Sequence, residues 1–281
     1  GFKLQEIHSI ESIKGNIIRL REPLHISLDA SIVKVKVYPI TMLNNVGIED
    51  IQFRGNWDSY PEEFVHHKDE LHDYAWNALR LENVENSWIR NCDFKHWNQG
   101  IYIKNSAAMT ISDIVFSGKK AHMSIHTRSS YGILVKDSED KQGNHHGPSV
   151  GYSNVGTVYL RYKMKDEQHM DSHSGSPYAT LFDNVSNGNF EKNGGPHKGY
   201  PHHGKYYVAW NYLLKGGPKK YDFWREKRNG HTISMPYFVG LQGKKVKMKG
   251  GTYAINEHPG EKVEPESLFE AQLALRLSLN K

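Results

Sequence analysis

The chain has 281 residues, 37% of them hydrophobic and 24% charged, with a mean hydropathy of −0.68. It is long for one ordinary globular domain and poor in core-forming residues, yet 11% aromatic content without long polar tracts excludes a disordered chain, and no stretch approaches the roughly 20 apolar residues of a membrane span. The formal charge of +5 counts 17 histidines as neutral, so the surface suits a polyanionic partner, and a single cysteine, Cys92, excludes an internal disulfide and a Cys-based zinc site and reads as a buried thiol.

Three segments align without gaps: NVGIEDIQFRG (45–55), NSWIRNCDFKH (86–96) and AMTISDIVFSG (108–118). Apolar residues fall at the same three places: Ile48, Ile51 and Phe53; Ile89, Cys92 and Phe94; Ile111, Ile114 and Phe116. The last two sets lie 22 residues apart and the first two 41, which is one repeat plus an insertion. Val155, Val158 and Leu160 continue the pattern, and Val185 with Phe190 and Val208 with Leu213 match it in part. The repeat expected near 133 fails, because Lys136 and Ser138 fall on apolar places. A fixed period in the twenties marks a solenoid. Val, Ile, Phe, Tyr and Thr favour short strands, and Asn and Gly favour the joints. Leucine ladders and helical periodicity are both absent. The prediction is a parallel β-helix, with a β-sandwich as the alternative. Asn45, Asn86, Asn91 and Asn105 are assigned to coil corners, a structural task.

Segment 56–76 reads as an insertion with a Pro turn and one helical turn. It contains HHKDELHD, with His66, His67, Asp69, Glu70, His72 and Asp73. No H-E-x-x-H is present, so no metal ligand set is predicted. Ca2+ is the one cofactor left open, with oxygen donors such as Asp58, Asp69 and Asp73. Trp97 is a candidate platform for a sugar ring, as is Trp210 further on. In HMSIHTR, His122, Ser124, His126 and Arg128 share a face if the stretch is a strand, and Arg128 suits a carboxylate or sulfate. Segment 137–151 reads as a loop that presents His145 and His146 beside a glycine. In DEQHMDSHSGSP, His169, Asp171 and His173 alternate, so an extended backbone points all three the same way. Tyr152 and Tyr178 flank the histidine segments as candidate acids, and GGPHKGYPHHGK (194–205) adds His203. The basic stretch 215–228 reads as a loop or a grip on an anionic glycan, since no nucleic-acid motif is present. The tail 264–280 is expected to cap the end of the stack.

Coils of V-x-I-x-[DN]-x-x-F flavour resemble the right-handed parallel β-helix of the pectate-lyase-like superfamily. HHKDELHD, HHGPSVG, DSHSGSPYATLFDN, VAWNY and PESLFEAQLALR resemble a bacterial family of such domains without assigned function, found beside polysaccharide-degrading enzymes. The resemblance spans about 44 to 277. It implies an all-β, right-handed parallel β-helix with loop excursions, secreted or periplasmic. It also implies a polysaccharide lyase that cleaves a uronic-acid-containing, sulfated or unsulfated polymer by β-elimination. Such chemistry needs a neutralised uronate carboxylate, a base for the C5 proton and an acid for the leaving oxygen. His173, His146, His122 and Asp171 are the catalytic candidates, with no split of roles between His173 and His146. His126, Arg128, His169, Tyr152, Tyr178, His203, Trp97 and Trp210 are the substrate-binding candidates. The alternatives are a glycoside hydrolase using Asp171 with another carboxylate, and a non-catalytic glycan-binding module. The expected partner is an anionic polysaccharide, with no nucleic acid, no membrane and a monomeric state. One domain is expected over 1–281. A start at Gly1 rather than Met leaves room for a leader or an upstream domain in a longer secreted protein.

Overall fold

The computed structural model describes residues 4–29, 31–190, 201–217, 219–221, 234–245 and 247–279. Parts of the 194–205 and 215–228 stretches lie outside them. The fold is nearly all β, a solenoid of about six turns built from stacked parallel sheets. One sheet has 13 strands. A second has five, in the order Asn77–Glu82, Gln99–Lys104, Met123–Arg128, His146–Gly151 and His169–His173, and is called here the site sheet. No helix among the described residues is long and apolar enough to cross a membrane.

The first and third apolar places stack in all three coils as their spacing predicts, whereas Ile51, between two strands, is 42% exposed. Ile48, Ile89 and Ile111 are in register, as are Phe53, Phe94 and Phe116, and Cys92 pairs with Ile114. The three phenylalanine rings lie 4.8 and 5.4 Å apart along the core. Cys92 is free and buried. Asn45, Asn86, Asn91 and Asn105 all adopt positive φ, between 47° and 57°, the corner geometry that asparagine tolerates.

The period then drifts. The backbone N–H groups of Val84, Ser106 and Ser130 donate to the side chains of Ser106, Ser130 and Asn154, at sequence separations of 22, 24 and 24. After the longer coils Val135 takes the place below Ile111, and Tyr159 the place below Val135. The expected continuation through Val155, Val158 and Leu160 is therefore four residues out of step, because Tyr159 takes the place expected for Val155. Further on, Ala209 and Leu214 fill the core where Val208 and Leu213 were expected.

One other expectation changes. Segment 137–151 is not a loop throughout, because Glu139–Asp140 and His146–Gly151 are strands. Every residue of the latter is buried, so it offers no alternating pattern to read. The expected C-terminal cap is the helix Leu268–Leu279, attached to the coils of Arg161 and Asp183. Asp183 holds it by accepting from Ser267 Oγ (2.7 Å) and Phe269 N (2.8 Å), and Glu270 pairs with Arg161. No residue of this helix is buried, because polar side chains at its start, not its leucines, make the attachment. The 56–76 insertion does contain one short helix, Glu70–Tyr74, whose N-cap Asp69 accepts from His72 N.

At the N-terminus, strands Ile10–Lys14 and Ile17–Leu20 form an antiparallel hairpin. The segment before it docks through Glu6, which accepts from Tyr178 Oη (2.7 Å) and His25 N (3.2 Å) and bonds His8 (2.7 Å). Burial opposes ionisation of Glu6, but the bonds from His25, Tyr178 and His8 outweigh it and lower its pKa from 4.5 to about 2. The acid is depressed in the folded state, so its stabilisation is complete above pH 4.5 and fades as pH falls toward 2. NMR of the Tyr178 ring should show this acid release, and Glu6→Gln should remove the transition. An unchanged titration in that variant would dissociate the docking from Glu6.

Candidate functional site

Two rows cross the site sheet. Arg80, Tyr102, His126, Ser149 and Asp171 are in register across its five strands. Two residues along each strand lie Glu82, Lys104, Arg128, Gly151 and His173. The alternation of strand side chains brings each row to one face. His169, Asp171 and His173 thus sit on one strand as the sequence predicts.

The first row ends in a buried hydrogen-bonded chain. His126 Nδ1 lies 2.6 Å from Ser149 Oγ, which donates to Asp171 Oδ2 at 2.9 Å. The other side of the same carboxylate oxygen faces His173 Nδ1 at 3.3 Å and His146 Nδ1 at 4.0 Å. Burial pushes both His126 and His146 down to about 3, so both rings are neutral near pH 7. Burial also works to lower His173, but its hydrogen bond with Asp171 and the carboxylate charge outweigh it, and the net shift is upward. Burial alone would raise Asp171, and the surrounding imidazoles more than offset that and hold it ionised. Burial lowers His126 and His146 while Asp171 raises His173, so His173 is the imidazole whose protonated form the carboxylate favours. Its side chain is 25% exposed and that of Asp171 only 2%, so the pair presents this imidazole to solvent with the carboxylate underneath.

The second row supplies the open face. Between Arg128 and His173 stands Gly151, where an added Cβ would meet the His173 carbonyl oxygen at 2.6 Å. Directly after the strand, Tyr152 and Ser153 take φ of 47° and 59°, and this left-handed turn swings Tyr152 back over the sheet. The Arg128 guanidinium carbon sits 3.5 Å from the Tyr152 ring centroid, and the Tyr152 and His173 rings are 6.5 Å apart. The Arg128, Tyr152 and His173 side chains therefore share one partly exposed strip.

At the entry to the same strands the histidines crowd together. His122 directly precedes strand Met123–Arg128, His146 opens the neighbouring strand, and the 56–76 insertion folds over them to add His66. The His66 ring is 4.0 Å from His145, 5.0 Å from His146 and 5.3 Å from His122. His122 Nδ1 bonds the Asp73 carbonyl oxygen at 2.5 Å, and the Asp73 carboxylate takes His67. Burial and then the neighbouring His67 lower His66 to about 4, and burial lowers His122.

All four catalytic candidates, His173, His146, His122 and Asp171, thus meet in one cluster, joined by His126, Arg128 and Tyr152. His169 lies at its edge, with Nδ1 2.9 Å from Asn189 Oδ1 and its ring 5.9 Å from His145. Four candidates are placed otherwise. Tyr178 is committed to Glu6 of the N-terminal segment. Trp97 donates to the Phe53 carbonyl at 3.1 Å and packs on the core, and Trp210 donates to the Pro265 carbonyl at 2.9 Å and ties down the tail. His203 is buried against Tyr207, and its predecessor His202 stands 6.2 Å from His173, accepting from Ser174 N. Each is taken by packing that its residue type also serves. The three carboxylates considered for Ca2+ serve separate partners: Asp58 pairs with Arg54, Asp69 caps the short helix and Asp73 binds His67.

Sequence reasoning missed Ser149, His66 and His202 as members. Ser149 belongs to a strand read as loop. His66 stood in HHKDELHD, a visible signal without a partner. Ser149 is not a triad nucleophile, because it is fully buried and its proton goes to Asp171 rather than to His126.

No curated protein and no solved structure matches the chain. Residues 143–280, which include His145, His146, Asp171 and His173 but not His66, His122 or Arg128, match the model of a family described as a domain of unknown function (DUF4955).

Proposed function

We propose that the chain is a polysaccharide lyase that cleaves an anionic, uronic-acid-containing polymer by β-elimination. The observation that carries this reading is the partly exposed strip of Arg128, Tyr152 and His173 over the buried Asp171. Arg128 offers a fork for the uronate carboxylate, whose neutralisation makes the adjacent C5 proton removable. Tyr152, reacting as its phenolate beside the Arg128 guanidinium, takes that proton and becomes the phenol. Protonated His173 gives a proton to the leaving oxygen as the C4–O bond breaks and the C4=C5 double bond forms. The stacked parallel architecture agrees with the resemblance to pectate-lyase-like proteins, and the basic composition agrees with an anionic substrate. A secreted or periplasmic location belongs to the same reading.

The hydrolase alternative needs two carboxyls facing one bond. Asp171 is enclosed by imidazoles, and Glu82, on the exposed row, is paired with Lys104 and Arg80, which favours elimination. The test is incubation with a panel of polyuronides and sulfated glycans, following the ultraviolet absorbance of the unsaturated uronate together with reducing ends. Both signals should rise, and His173→Ala should lower the rate about a hundred- to ten-thousand-fold with the fold intact. Reducing ends without absorbance would establish hydrolysis instead. Glycan affinity without turnover would establish a binding module.

A further inference from the structure

We propose that His66, His122 and His146 form a binding site for one divalent transition-metal ion, with Zn2+ as the best chemical match. Each residue offers one ring nitrogen, and the three nitrogens lie within 4.8 Å of one another. They come from three separate parts of the chain: the insertion, the residue before strand Met123–Arg128 and the first residue of strand His146–Gly151.

The hydrogen bonds fit ligation. His122 donates through Nδ1 to the Asp73 carbonyl oxygen at 2.5 Å. That bond fixes the tautomer and leaves Nε2 with a lone pair, the arrangement in which a backbone carbonyl orients a metal-bound imidazole. His146 is 4% exposed, and its Nδ1 is buried without a hydrogen-bond partner, 4.0 Å from Asp171 Oδ2. An unpartnered buried nitrogen is costly unless something else satisfies the ring. His66 is held by ring contacts, 3.6 Å from His67 and 4.0 Å from His145. Three imidazoles that turn nitrogens toward one another gain nothing from their lone pairs without a cation between them.

Tetrahedral zinc with nitrogen at about 2.0–2.1 Å sets roughly 3.4 Å between ligand nitrogens. Closing from the observed spacing takes a shift on the order of an ångström. His66 can supply it, since it is half-buried on a loop while His122 and His146 are fixed by the sheet. Imidazole donors select zinc, copper, nickel or cobalt and not Ca2+, which takes oxygen ligands. The ionised Asp171 and Asp73 nearby balance the added charge. Three protein ligands are also the number found in catalytic zinc sites, with a fourth position for water or a substrate oxygen.

The inference stands apart from the glycan reading, because metal binding is measured without substrate. The full chain, stripped with chelator, is titrated with Zn2+, Co2+ and Ca2+ by calorimetry, and the Co2+ complex by visible absorption. One equivalent of Zn2+ should bind, Co2+ should give a tetrahedral spectrum, and Ca2+ should not compete. His122 and His146 are buried, so His66→Ala separates ligation from folding: affinity should fall at least a hundredfold with unchanged circular dichroism. His203→Ala should leave affinity within a fewfold of wild type. Absence of stoichiometric binding, or wild-type affinity in His66→Ala, would overturn the proposal. A loss in His67→Ala equal to that in His66→Ala would also overturn it, by moving the site to His66, His67 and Asp73.

Discussion

Asp171→Asn is expected to lower the rate of glycan cleavage at neutral pH about a hundred- to ten-thousand-fold and to cost about 2 kcal/mol of stability. The substitution keeps the size of the side chain and can still bond Ser149, but it removes the charge beneath His173. In the wild-type protein the carboxylate outweighs the burial of the His173 ring and raises its pKa. Without it burial and the Arg128 charge are left, both lowering, and the pKa drops below the ordinary 6.5. His173 is then neutral at pH 7 and no longer an acid. The stability term is smaller than the 3–5 kcal/mol of a wholly buried pair, because His173 reaches water. Its sign with pH follows from the raised value. The contribution is fully present below pH 6.5 and is lost as pH rises through the raised pKa. Urea unfolding at several pH values, histidine NMR titration and the rate–pH profile together test this. A His173 titration unaltered by Asp171→Asn would remove the ion pair from the mechanism.

Phe94→Ala is expected to destabilise the chain by about 3–5 kcal/mol, the largest single effect on folding. Phe94 is fully buried and is the middle ring of the Phe53–Phe94–Phe116 stack. Deleting it opens a cavity that neighbours fixed in their own coils cannot fill. Phe53→Ala should cost less, since Phe53 is only partly buried. The stack also supports the site. A Cβ at Gly100, on the second strand of the site sheet, would lie 2.4 Å from the Phe116 ring, so the ring stack and the site sheet are in direct contact. Phe94→Ala should therefore lower the protection of the Gln99–Lys104 amides in hydrogen exchange along with global stability. A cost equal to that of Phe53→Ala would contradict the central role of this ring.

How much was legible in advance divides along the range of the interactions. The triplets Ile48/Ile51/Phe53, Ile89/Cys92/Phe94 and Ile111/Ile114/Phe116 announce stacked coils, because a solenoid repeats the same local requirement at each rung. Corner asparagines are readable for the same reason, since positive φ is a demand on one residue. The common face of His169, Asp171 and His173 follows from the two-residue period of a strand. Trp97, Trp210, Tyr178 and His203 stand in packing and tethering contacts, which their residue types serve as readily as binding.

The sequence by itself thus determined the stacked all-β architecture and the shared face of the His169–His173 strand. The tertiary structure alone decided which coils become neighbours and which histidines are buried, neutral or exposed. Coil length drifts from 22 to 24 residues, and each added residue moves the register of everything beyond it. The chain path of the 56–76 insertion, which lays His66 on His122 and His146, depends on packing among its own Trp57, Tyr60 and Trp76 rather than on any spacing. Proximity across coils is a sum over variable loops, and no local pattern records that sum.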